Sequence, residues 1–167
     1  MPSPVTHVTG YLWGLEAPFC CGSPTVLMER WDADEAIGLI GRHGLAMTIS
    51  ATTFLQELLD AADRVGTRLP TLKAFACGGA SVPPALIRRA NAALQHGRAF
   101  RVYGATEVPM IGRGCTRSDD ALTAADTDGV IDDYDVRFVD DRGVDVPDGR
   151  EGEILARGPA QCVGYVD

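Results

Sequence analysis

Lysine is almost absent from this chain. Of its 15 basic residues only Lys73 is a lysine; the others are arginine. The glycine-rich loop that cradles nucleotide phosphates ends in lysine, and no segment here has that form. Lys73 is no substitute, because it stands at the start of a predicted strand. Basic charge is scarce altogether: 23 Asp and Glu against 15 Lys and Arg leave a net charge of −8. Such a chain is a poor partner for nucleic acid or an anionic membrane surface, whose fields repel it. Only three histidines occur, His7, His43 and His96, and their scatter offers no metal-ligand spacing. The five cysteines are odd in number and include no C-x-x-C pair. That argues against a disulfide framework or a zinc site and points to buried free thiols in a reducing, cytoplasmic setting. No apolar run approaches ~18 residues, so no membrane span is expected. The N-terminus lacks the basic and apolar regions of a secretory signal. No period of ~20–50 residues recurs, which excludes a solenoid. No G-x-G-x-x-G with an acid ~20 residues on follows the first strand, which counts against a dinucleotide-dependent oxidoreductase.

What is present is ordinary globular material: 167 residues, 46% hydrophobic and 23% charged, enough for one domain with a real core. Residues 12–19 read as a short buried helix and residues 25–28 as a short strand. Asp32 can cap a helix whose first turn carries Asp34 and Glu35 and whose apolar face holds Ala36, Ile37, Leu39 and Ile40. Residues 45–49 read as a buried strand. Thr52 or Thr53 opens a helix in which Phe54, Leu55, Leu58, Leu59 and Ala62 recur at helical spacing. Residues 72–77 form an apolar run, residues 85–95 a helical pattern, and residues 100–103 a strand end. This alternation predicts an α/β layer with a mainly parallel sheet and flanking helices over residues 1–112. Residues 114–129 are polar and read as a long surface loop. Residues 134–139 and 153–157 alternate apolar and polar around turn residues, which predicts an antiparallel β-hairpin region. The expected division is an α/β unit at 1–128 and the start of a β-rich unit at 129–167.

Two segments carry chemistry. In Tyr103-Gly104-Ala105-Thr106-Glu107, a strand end is followed by a glycine that lets the backbone turn, then by a hydroxyl and a carboxylate. An aromatic face, a donor and a hard oxygen ligand on one turn suit a magnesium nucleotide; the bland alternative is a strand end with an exposed glutamate. Upstream, the apolar run ends in Gly78-Gly79-Ala80-Ser81, and the Pro83-Pro84 pair then opens a helix that Ser81 lies near enough to cap. Glycines there admit a flat ligand close to the backbone, although an ordinary strand-to-helix turn uses the same residues.

Taken together, these segments resemble the adenylate-forming superfamily of acyl-CoA synthetases, aryl-CoA ligases and related carboxylate-activating enzymes. Pro4-Val5-Thr6-His7-Val8-Thr9-Gly10 near the start and Gly152-Glu153-Ile154-Leu155-Ala156-Arg157-Gly158-Pro159, continuing to Gly164-Tyr165, agree with it in order and spacing. The resemblance implies ATP and Mg²⁺ as cofactors, coenzyme A as co-substrate and a carboxylic acid as substrate. It implies that Glu107 holds Mg²⁺, that Thr106 hydrogen-bonds an α-phosphate oxygen and that Tyr103 stacks on adenine. Gly78, Gly79, Ala80 and Ser81 would line the adenine edge, with Gly104 and Ala105 completing the nucleotide turn. His7 would border the acyl pocket, together with Val108, Pro109 and Met110; a satisfied core histidine is the other reading. Gly152, Glu153, Arg157, Gly158 and Tyr165 take a mainly structural role.

The family pattern is not reproduced throughout. Thr6 precedes His7 where the family usually has an aromatic. The family's phosphate loop, ribose-binding aspartate and C-terminal catalytic lysine have no counterpart in these residues. The expectation is therefore a central fragment of such a synthetase, not catalytically complete alone and prone to self-association through uncovered apolar surface. A non-catalytic remnant or interaction module with residual adenine-nucleotide binding is the alternative.

Overall fold

The computed structural model describes residues 1–116, 121–131 and 133–166. Three short parallel strands lie in the order β1-β2-β3: β1 (Met47–Ser50), β2 (Ala74–Cys77) and β3 (Arg98–Arg101). Their register pairs Ser50 with Cys77 and Cys77 with Arg101. All three strands therefore end at the same edge of the sheet. Helix α4 (Thr52–Val65) connects β1 to β2, and α5 (Pro84–Ala93) connects β2 to β3, as parallel pairing requires.

The two faces of the sheet are filled by alternate residues of each strand. Phe75, Cys77 and Ala99 face a core built with Leu55, Leu58, Leu59, Leu72 and Ile87. Ile49, Ala76 and Phe100 face a second cluster with Val102, Cys115 and Ala124. Each large side chain withdrawn in this way contributes about 1.5–3 kcal/mol. Asn91 ties α5 to β3: its side chain donates to the Ala99 carbonyl (3.0 Å) and accepts from the Ala99 N–H (2.8 Å). Helix α3 (Ala33–His43) starts as expected, with Asp32 Oδ1 accepting from the Glu35 N–H (2.8 Å).

Several expectations are corrected. Residues 12–19 lie inside a helical run made of α1 (Val8–Tyr11), a π-helical turn (Leu12–Glu16) and α2 (Ala17–Cys21). The run is not buried: Gly10 and Gly14 are its buried residues, and Phe19 stands 87% exposed. Residues 25–28 form no strand, because β-branched content makes a strand only where a neighbour pairs with it. The supposed loop at 114–129 contains α6 (Ala121–Asp126). Ala124 and Ala125 are fully buried, since side chains this small let the helix sit close beside α5 and β3; residues 117–120 lie outside the described ones. Of the five thiols, Cys77 and Cys115 are buried, but Cys20, Cys21 and Cys162 are exposed. Burial pushes the Cys77 thiol up to about 11.

Strands β4 (Asp135–Val139) and β5 (Glu153–Arg157) pair antiparallel as expected, with Val139 opposite Glu153. An ion pair joins Arg157 to Asp135 across the ladder (3.1 Å), and another joins Arg137 of β4 to Asp145 (2.8 Å). Bridges from Gly112 to Tyr103 and Ile131, and from Gly114 to Gly129, link the intervening chain to the end of β3.

Candidate functional site

In an open parallel sheet, ligands bind beyond the carboxyl ends of the strands. Here that edge collects Ser50 from β1, Gly78 and Gly79 after β2, and Val102, Tyr103 and Gly104 after β3. The ladder continues into this edge: the Gly78 N–H donates to the Ser50 carbonyl (3.2 Å) and the Val102 N–H to the Cys77 carbonyl (2.9 Å).

Tyr103 is half-exposed and held by paired backbone bonds with Gly112, both 2.9 Å. Gly104 follows for a reason other than the expected sharp bend. A Cβ there would lie 2.3 Å from the Pro109 carbonyl oxygen, so only glycine fits. Residues 105–108 then close on themselves, the Ala105 N–H bonding the Val108 carbonyl (3.0 Å) and the Val108 N–H the Ala105 carbonyl (3.2 Å). Thr106 and Glu107 stand exposed at the tip of that turn. On the β2 side, Gly79 has φ 76°, a left-handed conformation that glycine adopts without a steric penalty. Ser81 does not cap α5; Pro83 occupies the N-cap position without a side-chain bond, and the Ser81 carbonyl accepts from Thr52 Oγ1 (3.0 Å).

Two clefts flank these segments. The first, about 210 Å³, brings His7, Gly78, Gly79, Tyr103, Gly104, Ala105 and Thr106 together with Pro109 and Met110. The second is bounded by Gly79, Ala80, Ser81, Tyr103 and Gly104, with Arg101 and Asp128 across from them. Gly79, Val102, Tyr103 and Gly104 line both. A ligand with a flat ring in one cleft and a chain in the other would cross between them at those residues.

Glu107 lines neither cleft. Its Oε1 accepts from the Tyr165 hydroxyl (2.6 Å), and its carbonyl accepts from the Cys162 N–H (2.8 Å). The Tyr165 hydrogen bond, aided by a backbone bond, holds the Glu107 carboxyl below its usual range, and the same contact raises Tyr165. An ionised carboxylate fits magnesium, which binds through one or two carboxylates plus substrate phosphates. Among the described residues no cluster of three or more His, Cys, Asp or Glu could hold a metal unaided.

His7 is exposed, which removes the core-histidine reading. Its Nδ1 accepts from the Thr9 N–H (3.2 Å) and caps α1, so Nε2 is the nitrogen that carries the proton of the neutral ring. Lys73 sits at the opposite, amino end of β2, with Nζ donating to the Pro70 carbonyl (3.2 Å). Sequence reasoning missed Ser50, Trp13, Arg101 and Asp128. Ser50 and Arg101 had one available signal, their position at strand ends; Trp13 and Asp128 had none, since only folding brings them to this edge. Nor could the Tyr165–Glu107 contact be foreseen across 58 positions.

A family model described as AMP-binding enzyme matches residues 1–166. This chain belongs to the AMP-binding enzyme family. Its relatives within the family include the medium-chain fatty-acid–CoA ligase of Escherichia coli K12, 33% identical over 100% of this chain and 29% of that protein. Another is the 3-[(3aS,4S,7aS)-7a-methyl-1,5-dioxo-octahydro-1H-inden-4-yl]propanoyl:CoA ligase of Mycobacterium tuberculosis, 32% identical over 99% of this chain and 31% of that one. The chain thus spans under a third of the length of these AMP-binding relatives. The fold is that of the o-succinylbenzoate coenzyme A synthetase from Bacillus subtilis, solved with ATP and magnesium: TM-score 0.82 at 23% identity, covering 99% of this chain and 33% of that structure.

Proposed function

We propose that this chain is the nucleotide- and acid-binding portion of an ATP-dependent carboxylate–CoA ligase. The observation that carries the reading is the pair of adjoining clefts that share Gly79, Val102, Tyr103 and Gly104 at the carboxyl ends of three parallel strands. Adenine lies against the Gly79–Ser81 backbone and the Tyr103 ring. The carboxylic acid enters the cleft bordered by His7. Its carboxylate oxygen meets the α-phosphorus of ATP at the 103–106 turn, where the two clefts join.

The reaction forms an acyl-adenylate and releases pyrophosphate; a thiol, coenzyme A in the ligases this chain resembles, then displaces AMP. Charge grows on the phosphoryl oxygens in the first step, so catalysis is chiefly positioning and electrostatics. Thr106 Oγ1 donates to an α-phosphate oxygen. The 105–108 turn, closed by its own backbone bonds, holds that hydroxyl in place. Glu107 holds magnesium, which when bound offsets charge on the phosphates. The apolar wall formed by Leu12, Trp13, Ile49 and Met110 excludes water from the acid's chain. Relatives named for a medium-chain fatty acid and for a bulky alicyclic propanoate support an acid with substantial apolar surface.

The chain by itself is expected to bind ligand without sustaining turnover. Titration with a non-hydrolysable acyl-sulfamoyl adenosine is expected to show saturable binding, and Tyr103→Ala to weaken it about tenfold, the value of one lost base–aromatic stack. A flat titration of folded protein, with no ATP–pyrophosphate exchange, would leave the interaction-module reading in its place.

Val163, Tyr165 and Val166 are largely exposed, as is Phe19. Light scattering is expected to show concentration-dependent association; a clean monomer at high concentration would refute it.

A further inference from the structure

Two hollows lie one behind the other along β1. Met47 and Ile49 are alternate residues of that strand and share one face of the sheet. It is the face where Trp13 and Met110 pack against the cluster of Ile49, Ala76 and Phe100. Ile49 lines the His7 cleft. Met47, roughly 7 Å back along the strand, lines a second cavity of about 320 Å³, with Ala17 and Pro18 of α2, Val26 and Leu45 as further walls. Trp13 and Ile49 line both hollows and so form the partition between them. Among the described residues that line the second cavity, none has a charged side chain. Trp13 is only part-buried. It stands in the π-helical turn Leu12–Glu16, where the Ala17 N–H reaches back to the Leu12 carbonyl, and such widened turns gather at functional sites.

We propose that the second cavity is a subsite for the far end of the acyl chain, entered past Trp13 and Ile49, so that the preferred acids are linear alkanoates long enough to cross that partition rather than short acids. This rests on the assignment of the His7 cleft to the acid under Proposed function. Each methylene moved from water to an apolar wall is worth about fourfold in affinity. A chain that ends at the partition collects that gain only within the first cleft. A chain that crosses it collects more from Ala17, Val26 and Met47. Crossing requires the indole to turn aside, which offsets part of the gain, so Trp13 sets the length at which further methylenes begin to count. Trp13 acts on selectivity; it has no part in the transfer of the acyl group.

The test uses matched acyl-sulfamoyl adenosines bearing butanoyl, hexanoyl, octanoyl and decanoyl groups, titrated calorimetrically into the wild-type chain, Ala17→Phe, Met47→Glu and Trp13→Ala. Decanoyl is expected to bind the wild type at least about tenfold more tightly than hexanoyl. Ala17→Phe fills the second cavity. Met47→Glu puts a charge there from a half-exposed position, without adding bulk to the helix. Each is expected to erase the decanoyl gain and to leave butanoyl affinity within about twofold of the wild type, because neither residue lines the first cleft. Trp13→Ala is expected to widen the preference for decanoyl over hexanoyl, since nothing then has to turn aside. Equal affinities for hexanoyl and decanoyl in the wild type would overturn the second subsite and leave the cleft assignment standing. So would a decanoyl gain that survives in folded Ala17→Phe, or in Met47→Glu where Ala17→Phe does not fold. A uniform loss for every analogue in those two variants would overturn it too, since the effect would then not depend on chain length. A preference that narrows in Trp13→Ala removes Trp13 as the partition. If no analogue binds the folded wild type, the cleft assignment fails and this proposal with it.

Discussion

Glu107→Ala is expected to lower Mg·ATP affinity at least about tenfold, the effect of losing one charge-assisted contact. Without magnesium, in excess chelator, variant and wild type are expected to bind ATP alike. The variant is a clean probe because Glu107 stands exposed at the tip of the 105–108 turn. Its removal leaves intact the backbone bonds that close the turn and opens no cavity. The one side-chain partner lost is the Tyr165 hydroxyl, which is itself largely exposed and can turn to water. Calorimetric titrations with and without magnesium decide the matter; an Mg·ATP affinity untouched by the substitution removes Glu107 as the metal ligand.

Phe75→Ala is expected to destabilise the chain by about 3–5 kcal/mol, the range for truncating a buried aromatic. Phe75 is the middle strand's largest buried side chain, 1% exposed, and it packs among Leu55, Leu58, Leu59, Leu72 and Ile87. A domain holds only ~5–15 kcal/mol in total, so the variant is expected to unfold at a much lower urea concentration than the wild type. Urea denaturation followed by circular dichroism measures this directly. A loss under about 1 kcal/mol would mean that the cavity collapses or that the α4–β2–α5 core is not the main source of stability.

The helices that cover the sheet were legible because each obeys local rules. Asp32 caps α3, and the leucines of α4 recur at helical spacing on the face that becomes the core. The strand–glycine–helix unit around Gly78 and Gly79 was legible for the same reason. The failures share one cause. Residues 25–28 have strand composition but no partner strand. Residues 121–126 look polar in context, yet Ala124 and Ala125 become fully buried. Residues 12–19 form a helix whose large apolar side chain Phe19 stays in solvent. In each case the outcome depended on what lay beside the segment, which local pattern does not encode.

The site divides along the same line. Residue order alone established an alternating α/β chain, placed Tyr103 and Thr106 on a turn after a strand, and put Gly78 to Ser81 on another. Those features follow from backbone sterics within a few residues. Tertiary structure decided that both turns share one edge, that two clefts meet at Gly79 and Tyr103, that Tyr165 engages Glu107, and that the Ser50 hydroxyl is buried without a partner. Parallel pairing in this register sets the first two, because it brings the carboxyl ends of all three strands to one edge. Desolvation sets the last, because burial is a property of all the surrounding chain and of no single stretch of it.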